Sequence, residues 1–306
     1  MYFHGLTNFK SRMMFRHFFI ALLFAGCSLL FASGFQSLES GVDARSASMG
    51  FTHTAMQDDP VAGFGNPAAL FQGPVKTVCF SMNNWIQDMR SGNAGLVISS
   101  EHDAFGLSLY YSEIGEIEHR IGPSPTPIGT FSSSDFVLGV GYAREIVPAV
   151  SVGLSIRSYY QKIYVDEAWG VGGDLGMTWV LPDQKSRIGI AIQHLGKAGA
   201  LKQENLELPT VIRVGASRGV AFKKIQGQIQ LDAVAEKDAP FHLQAGLELG
   251  WAEYFFLRAG YLSGYETRDM TFGLGFRIRH YRLDYALVPF RSGLGDVHML
   301  SILFHW

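Results

Sequence analysis

Residues whose types could perform chemistry are scattered along the chain instead of being grouped. The ten histidines are spread out, and the adjacent pair His102 and Asp103 has no third ligand at a spacing typical of a metal site. The serine and histidine positions give no specific sign of a nucleophile with its base and an orienting group. The sequence therefore predicts a protein that is not an enzyme and that uses no metal ion or cofactor.

A glycine-rich run over residues 170–176 superficially resembles a nucleotide-binding loop. A phosphate-binding loop has to lie between a strand and a helix, whereas this run lies inside a segment that alternates like a strand. We therefore interpret its glycines as small residues on one face of that strand.

The composition excludes several classes of protein. Of the 306 residues, 47% are hydrophobic, 17% are charged and 35 are glycine. A chain so rich in apolar and aromatic side chains cannot remain disordered, because it has to bury them. The formal net charge of −2 provides no basic surface for phosphates, so we predict no nucleic-acid partner.

The first 34 residues have the organisation of a secretory signal peptide. Basic residues precede an apolar run over residues 18–31, and the small residues 32–34 follow it, which predicts cleavage before Phe35. The apolar run is short for a transmembrane helix. An N-terminal membrane anchor and a lipoprotein modified at Cys27 are the alternatives.

Two-residue alternation of apolar and polar side chains recurs after residue 75, for example in residues 150–157 and 241–249. Such strands are typical of a soluble β-sandwich or of a membrane barrel with a polar lumen. The polar face of these strands favours the barrel, because it carries Gly, Ser and Gln with charges of both signs. A closed lumen would let these charges neutralise one another; they include Arg157, Asp174, Arg213, Asp232, Glu248, Arg258, Arg277 and Asp284.

Aromatic residues support this interpretation. Several of them lie near predicted strand ends, where outer-membrane barrels have interfacial girdles; these are Tyr142, Tyr159, Trp169, Trp179, Trp251, Tyr261, Tyr281 and Trp306. The last strand alternates through residues 300–306 and ends on an aromatic residue. We interpret Phe304 and Trp306 as a C-terminal assembly signal, read by the barrel assembly machinery.

The predicted fold class is therefore all-β: a transmembrane antiparallel β-barrel of about 14 strands with an N-terminal plug segment. About fourteen strands fit between residues 75 and 306, and twelve would also fit. Residues 114–131 contain three prolines and are expected to form an irregular loop. Residues 35–74 do not alternate, and their small residues and Asn-Pro turn favour a compact plug inside the lumen over a disordered periplasmic leader.

The plug segment resembles the N-terminal signature of the PorV/PorQ family of outer-membrane proteins. The resemblance rests on Arg45, Met49, Gly50, Asp58, Asp59, Asn66, Pro67 and Ala68. Phe51 and Ala69 depart from the family pattern, which has glycine at both positions. Weaker similarity continues to the C-terminus through residues 208–210, 257–261, 273–275 and 283–286.

The resemblance implies a fourteen-stranded barrel related to the fatty-acid transporter FadL, located in the outer membrane of a Gram-negative bacterium. It implies a structural or gating role for the eight residues of the plug motif. It also implies a role in protein export by a type IX secretion system, with secreted cargo proteins or secretion-system subunits as partners besides outer-membrane lipid.

Two functional hypotheses follow. The first is a protein-binding role in export, as a shuttle or attachment component. The second is passage of hydrophobic small molecules through the plugged lumen. A transporter should have a continuous apolar pocket beside the plug, whereas the predicted lumen face is mostly Gly, Ser, Gln and charge. This difference favours the protein-binding role.

Overall fold

A computed structural model describes residues 43–73, 75–123, 126–201, 204–237 and 239–306. The predicted signal peptide (1–34) and the first part of the predicted plug segment (35–42) lie outside the described residues. No helix in the described ranges is long and apolar enough to cross a membrane.

Fourteen antiparallel strands close into a barrel, which confirms the predicted fold class and strand number. Each strand pairs with its neighbours in sequence, and β1 pairs with the last strand to close the sheet. A two-residue hairpin, β8 and β9, lies in the connection between β7 and β10 outside the barrel sheet. The strands are β1 (Val75–Asn84), β2 (Arg90–Ser99), β3 (Asp103–His119), β4 (Gly129–Val147), β5 (Val150–Ile163), β6 (Asp166–Val180), β7 (Ser186–Ala198), β8 (Ala200–Leu201), β9 (Glu204–Asn205), β10 (Val211–Phe222), β11 (Ile225–Glu236), β12 (His242–Trp251), β13 (Phe255–Ser263), β14 (Met270–Ile278), β15 (Tyr281–Pro289) and β16 (Asp296–His305).

The two ends of the barrel differ in their connections. At one end the strands are joined by tight turns, among them residues 148–149, 223–224 and 279–280. At the other end most connections are longer, as in residues 199–210 and 290–295, although only residues 164–165 join β5 to β6. Outer-membrane barrels have short periplasmic turns and longer extracellular loops. We call these the tight-turn end and the long-loop end, and the rule predicts that the long-loop end faces outward from the cell.

The outer surface of the barrel is apolar, as the alternation predicts. Outward positions on the strands carry exposed Leu, Ile, Val and Phe, for example Leu107, Ile156 and Leu231. A closed barrel pairs every strand edge, so it satisfies the backbone polar groups that lipid cannot. The protein is therefore an outer-membrane β-barrel, in agreement with the predicted location.

An aromatic row runs around the outside on β3 to β6. Cross-strand pairing places Tyr111, Phe136, Tyr160 and Trp169 side by side, and the rings of Tyr160 and Trp169 lie 4.6 Å apart. Tyr159 is not part of this girdle, contrary to the prediction. It points into the lumen and is fully buried, because its neighbour Tyr160 occupies the outward position.

Strands β3 to β6 extend beyond the aromatic row towards the long-loop end. We call this extension the raised wall. β3 has 17 residues and β4 has 19, whereas β15 has nine. Residues 114–119 and 129–131 of the segment predicted to be an irregular loop belong to these two strands. The pairing of β3 with β4 shifts register between Ile114 and Ile117, and this irregularity hides the continuing strand from a strict two-residue pattern.

Residues 43–73 lie inside the barrel, and we call them the plug. They contain one short helix, α1 (Ala44–Ser48), and two 3₁₀ helices (Pro60–Phe64 and Pro67–Leu70). Nearly all plug residues are buried, although none of them lies on a barrel strand. Their side chains and backbone instead contact residues on the inner face of the wall.

We predict that the purified protein migrates faster on a denaturing gel when it is left unheated than when it is boiled. A closed barrel resists detergent because unfolding has to break the whole hydrogen-bond ladder at once. The measurement is electrophoresis of detergent-extracted outer membranes. Recovery of the protein in the soluble periplasmic fraction, with no heat-dependent shift, would contradict the barrel.

Candidate functional site

Three polar side chains give the plug its local shape. Asp43 Oδ1 accepts from the Ser46 amide over 2.9 Å at the start of α1. Asp59 Oδ1 accepts from the Val61 amide over 3.1 Å, and Asn66 Oδ1 accepts from the Ala68 amide over 3.2 Å. Each side chain caps a helix start. In the two 3₁₀ helices the residue after the cap is proline, whose fixed φ suits the first helical position.

Arg45 connects the plug to the wall. Its guanidinium donates to both carboxylate oxygens of Glu248 on β12, with Nη2 to Oε1 at 2.7 Å and Nε to Oε2 at 2.9 Å. The remaining nitrogen, Nη1, lies 3.2 Å from Asp59 Oδ2 in the plug. A bidentate pair of this kind fixes orientation as well as position.

Wall residues continue the chain of charges from Glu248. Arg258 Nε donates to Glu248 Oε2 over 2.6 Å, and Arg258 Nη1 lies 2.8 Å from Asp284 Oδ1. Arg282 Nε donates to Asp284 Oδ2 over 2.7 Å. Arg282 Nη2 then returns to the plug and donates to Asp59 Oδ2 over 2.5 Å.

These contacts form a closed ring of six alternating charges, which we call the charge ring. In order, its members are Arg45, Glu248, Arg258, Asp284, Arg282 and Asp59. No member's side chain is more than 7% exposed. Removing one member leaves its neighbours charged and buried without compensation, which costs about 3–5 kcal/mol.

The pKa values of the plug carboxylates reflect these surroundings. Burial alone would raise the pKa of Asp59, but Arg282 and Arg45 outweigh burial and hold that pKa below its ordinary value. The pKa of Asp43 is raised to about 6 by burial and by the negative charge of Asp59. Asp59 is therefore ionised at neutral pH, as its place in the charge ring requires.

A second anchor holds the middle of the plug. Asp232 Oδ2 on β11 accepts from the amides of His53 and Thr54, each over 3.1 Å, and from Thr54 Oγ1 over 2.6 Å. Arg213 on β10 pairs with Asp232 and donates over 3.0 Å to the carbonyl of Phe51. Charged groups thus bind the plug backbone within the turn at residues 50–52 and directly after it.

Glycines on the inner face let the plug backbone touch the wall. A Cβ atom on Gly260 would lie 2.0 Å from the Gly50 nitrogen. A Cβ on Gly153 would lie 2.4 Å from the Pro67 carbonyl carbon, and one on Gly189 would lie 2.0 Å from the Thr54 oxygen. No side chain fits at these positions unless the plug moves. Part of the high glycine content is therefore explained by contact between plug and wall.

The structure brings together only some of the residues of the predicted plug motif. Arg45 and Asp59 meet in the charge ring, whereas Asp58 is exposed and only its carbonyl approaches Arg45, at 3.5 Å. Met49 is fully buried. Gly50 takes a φ of +71° and contacts β12 and β13 with its backbone.

The remaining motif residues form the second 3₁₀ helix against β5 and β6. Asn66 donates from Nδ2 to the Thr54 carbonyl over 2.7 Å, which joins two parts of the plug. Pro67 and Ala68 lie against Gly153, and Ala68 is completely buried.

The predicted C-terminal assembly signal lies at the tight-turn end. Phe304 pairs with Tyr281, and the two rings are 4.9 Å apart. Trp306 exchanges two backbone hydrogen bonds with Lys76 and stacks on Phe304, with ring centroids 5.4 Å apart. The two residues complete the closure of the barrel, and their role in assembly stays a prediction.

The lumen face is not uniformly polar: at the long-loop end buried apolar side chains lie beside polar ones such as Asn83 and Asp135. Towards the long-loop end, Leu262, Val288, Val297 and Met299 point inward and pack against Phe51 of the plug. This apolar cluster has no clear signature in the sequence, because a residue such as Val288 lies between other apolar residues and shows no contrast between faces. The prediction of a lumen lined mostly by Gly, Ser, Gln and charge did not include this apolar cluster.

A second apolar cluster lies on the opposite side of the lumen. It consists of Tyr110, Val137, Tyr159 and Leu208. Leu208 comes from the connection between β7 and β10 and is only 4% exposed. Within the described residues no group of three or more His, Cys, Asp or Glu side chains is placed to hold a metal ion.

Solved structures share this architecture. The chain matches the toluene transporter TbuX of Ralstonia pickettii with a TM-score of 0.56 and 17% identity, over 87% of this chain and 97% of TbuX. It matches the toluene transporter TodX of Pseudomonas putida with a TM-score of 0.57 and 14% identity, over 91% and 98% of the two chains. It matches a FadL homologue of Pseudomonas aeruginosa with a TM-score of 0.54 and 10% identity, over 87% of this chain and 98% of the homologue.

The chain therefore has the fold of the FadL-like outer-membrane barrels, as the family resemblance implied. Searches of protein-family models and of curated proteins find no match. The finer assignment to the PorV/PorQ family stays a prediction. The neighbours are named as transporters or as a FadL homologue, and none is named as a component of protein export.

We predict that Gly260→Val displaces the plug and leaves the barrel intact. Valine suits a strand, but its Cβ would collide with the Gly50 nitrogen. Hydrogen exchange of plug amides should accelerate about tenfold or more, which corresponds to about 1.4 kcal/mol. Gly129→Val is the control, because nothing lies within 4 Å of its added Cβ. Equal protection in both variants would show that the plug does not bind the wall there.

Proposed function

We propose that the protein conducts small hydrophobic molecules through its plugged lumen. The observation that carries this proposal is the change in the lumen face along the barrel axis. The tight-turn half contains the charge ring, whereas the long-loop half contains two buried apolar clusters, one of them packed against the plug. An apolar surface inside a barrel, at the end that faces outward, suits a ligand that leaves water.

The structural neighbours support the same class of ligand. TbuX and TodX are named as toluene transporters, and another neighbour, CymD, is named as a monoaromatic hydrocarbon channel. Because their sequence identity to this chain is low, they are a guide to its architecture and not to its particular ligand. We therefore propose hydrophobic small molecules as the ligand class, without selecting one compound.

In this proposal the plug is the barrier that a ligand passes. Its backbone touches β12 and β13 at Gly50 and β5 at Pro67, so it reaches across the lumen. A displacement of part of the plug, with the charge ring holding the rest, would open a path on one side. Motif residues in the part that moves would then have a gating role, and Arg45 and Asp59, which belong to the charge ring, would have a structural one.

Protein binding in export is the second hypothesis, and one feature favours it. On the raised wall the outward positions are polar and the inward positions include Ile114, Ile117, Phe131 and Ile163. A sheet with an apolar inner face beyond the membrane could contact a secreted protein. Copurification from native outer membranes separates the hypotheses, since bound lipid or hydrocarbon favours transport and a bound secreted protein favours export.

We predict that the protein accelerates uptake of toluene or oleate by Gram-negative cells that lack their own FadL-like channels. Val297→Asn should reduce this uptake several-fold, because it places an amide in the apolar lumen face. Val297→Leu is the matched control, since leucine has nearly the shape of asparagine but stays apolar. The measurement is initial uptake of radiolabelled ligand, with a sugar as hydrophilic comparison.

Two results would contradict the proposal. The first is hydrocarbon uptake no faster than in cells without the protein, while gels show an assembled barrel. The second is equal uptake by the Asn and Leu variants, which would mean that the apolar face does not contact the ligand.

A further inference from the structure

Phe51 adopts a backbone conformation that is unfavourable for its side chain. Its φ is +62°, in the left-handed region that glycine tolerates and bulky residues avoid. It stands where the PorV/PorQ pattern has a second glycine. Despite this conformation its side chain is only 5% exposed. The contacts of the ring must therefore compensate for the backbone conformation.

The ring of Phe51 is one of four that surround a guanidinium, and we call this group the aromatic box. The Arg268 Cζ atom lies 4.8 Å from the ring centroid of Phe51, 5.1 Å from Tyr265, 5.6 Å from Trp85 and 5.7 Å from Phe290. Arg268 is only 7% exposed. Aromatic faces attract a cation most strongly where water is excluded.

The aromatic box joins four separate parts of the chain at the long-loop end. Phe51 belongs to the plug, and Trp85 follows β1. Tyr265 and Arg268 lie between β13 and β14, and Phe290 follows β15. The two rings Phe51 and Trp85 meet edge to face at 6.5 Å, and Trp85 and Phe290 do so at 5.8 Å. The plug is thus connected to three loops around one cation.

Further contacts hold the box from outside. Tyr265 stacks on His242 with ring centroids 3.9 Å apart, and its hydroxyl accepts from Gln244 Nε2 over 2.8 Å. Arg213, which binds the Phe51 carbonyl, also donates to Gln244. The backbone and the ring of Phe51 are therefore held by two different arginines, Arg213 on the wall and Arg268 on a loop.

We propose that the Arg268 aromatic box is a gating contact that keeps the plug closed at the long-loop end. Phe51 is the plug residue that the box retains. When Arg268 withdraws with its loop, the strained turn at residues 50–52 is released towards the lumen, while the charge ring still holds the plug at the tight-turn end. This role does not depend on which ligand the barrel conducts.

The test is single-channel conductance of the purified full-length protein in planar lipid bilayers. Phe51→Leu keeps an apolar side chain and the unfavourable φ but removes the aromatic face. Arg268→Met keeps the length of the stem but removes the charge. Each variant should raise the fraction of time in a conducting state about tenfold over the wild type. The double variant should show no larger increase than either single variant, because both remove the same contact.

Arg291→Met is the matched control. Arg291 is an exposed residue in the neighbouring loop that pairs with Asp269 beside Arg268, but it is not among the cations of the aromatic box. The control should conduct like the wild type. Heat-dependent gel migration selects assembled protein, and Arg268→Gln replaces Arg268→Met if the latter does not assemble, since glutamine also removes the charge from the rings.

Three results would overturn the proposal. One is wild-type conductance in both single variants. Another is an equal increase in the Arg291→Met control, which would indicate general loosening of the loops. The third is an increase of about a hundredfold in the double variant, because multiplied effects would mean that Phe51 and Arg268 act independently.

Discussion

The charge ring is the interaction on which the rest of the structure depends. Two of its members, Arg45 and Asp59, belong to the plug, and the other four belong to β12, β13 and β15. Each charge is buried, so each is tolerable only while both of its neighbours stay in place. The plug and the wall therefore depend on each other. Without the plug the barrel would contain unpaired buried charges. Without the wall the plug would lose its binding partners.

This dependence explains the unusual composition. A plug held by buried charges has to approach the wall closely, and a wall that is approached closely needs positions without side chains. Gly260, Gly153 and Gly189 meet this need on three different sides of the lumen. The outer face meets the opposite requirement, because lipid contacts demand large apolar side chains there. Successive residues of each strand face the lumen and the lipid in turn. Small residues are therefore needed at one set of positions and large apolar residues at the other, which explains the high content of both glycine and hydrophobic residues.

Much of the fold was predictable from the sequence, because a two-residue period identifies a strand and assigns each side chain to a face. The fourteen strands and the inward position of Glu248, Arg258 and Asp284 follow from that period. The partner of each charge does not, since Arg45 and Glu248 are 203 residues apart in sequence and alternation contains no information on register between distant segments. The apolar clusters in the lumen were missed for another reason: Val288, for example, lies between Leu287 and Pro289, so the pattern shows no contrast between faces.

The central claim is that the plug is bound to the wall by mutually dependent buried charges, and a double-mutant cycle on Arg45 and Glu248 tests it most directly. The measured quantity is the free energy of opening of the plug amides, obtained by hydrogen exchange for Arg45→Met, Glu248→Gln and the double variant. We predict that each single variant loses about 3 kcal/mol and that the coupling energy is about 1.5 kcal/mol or more. Additive effects, or single variants with the protection of the wild type, would contradict the account.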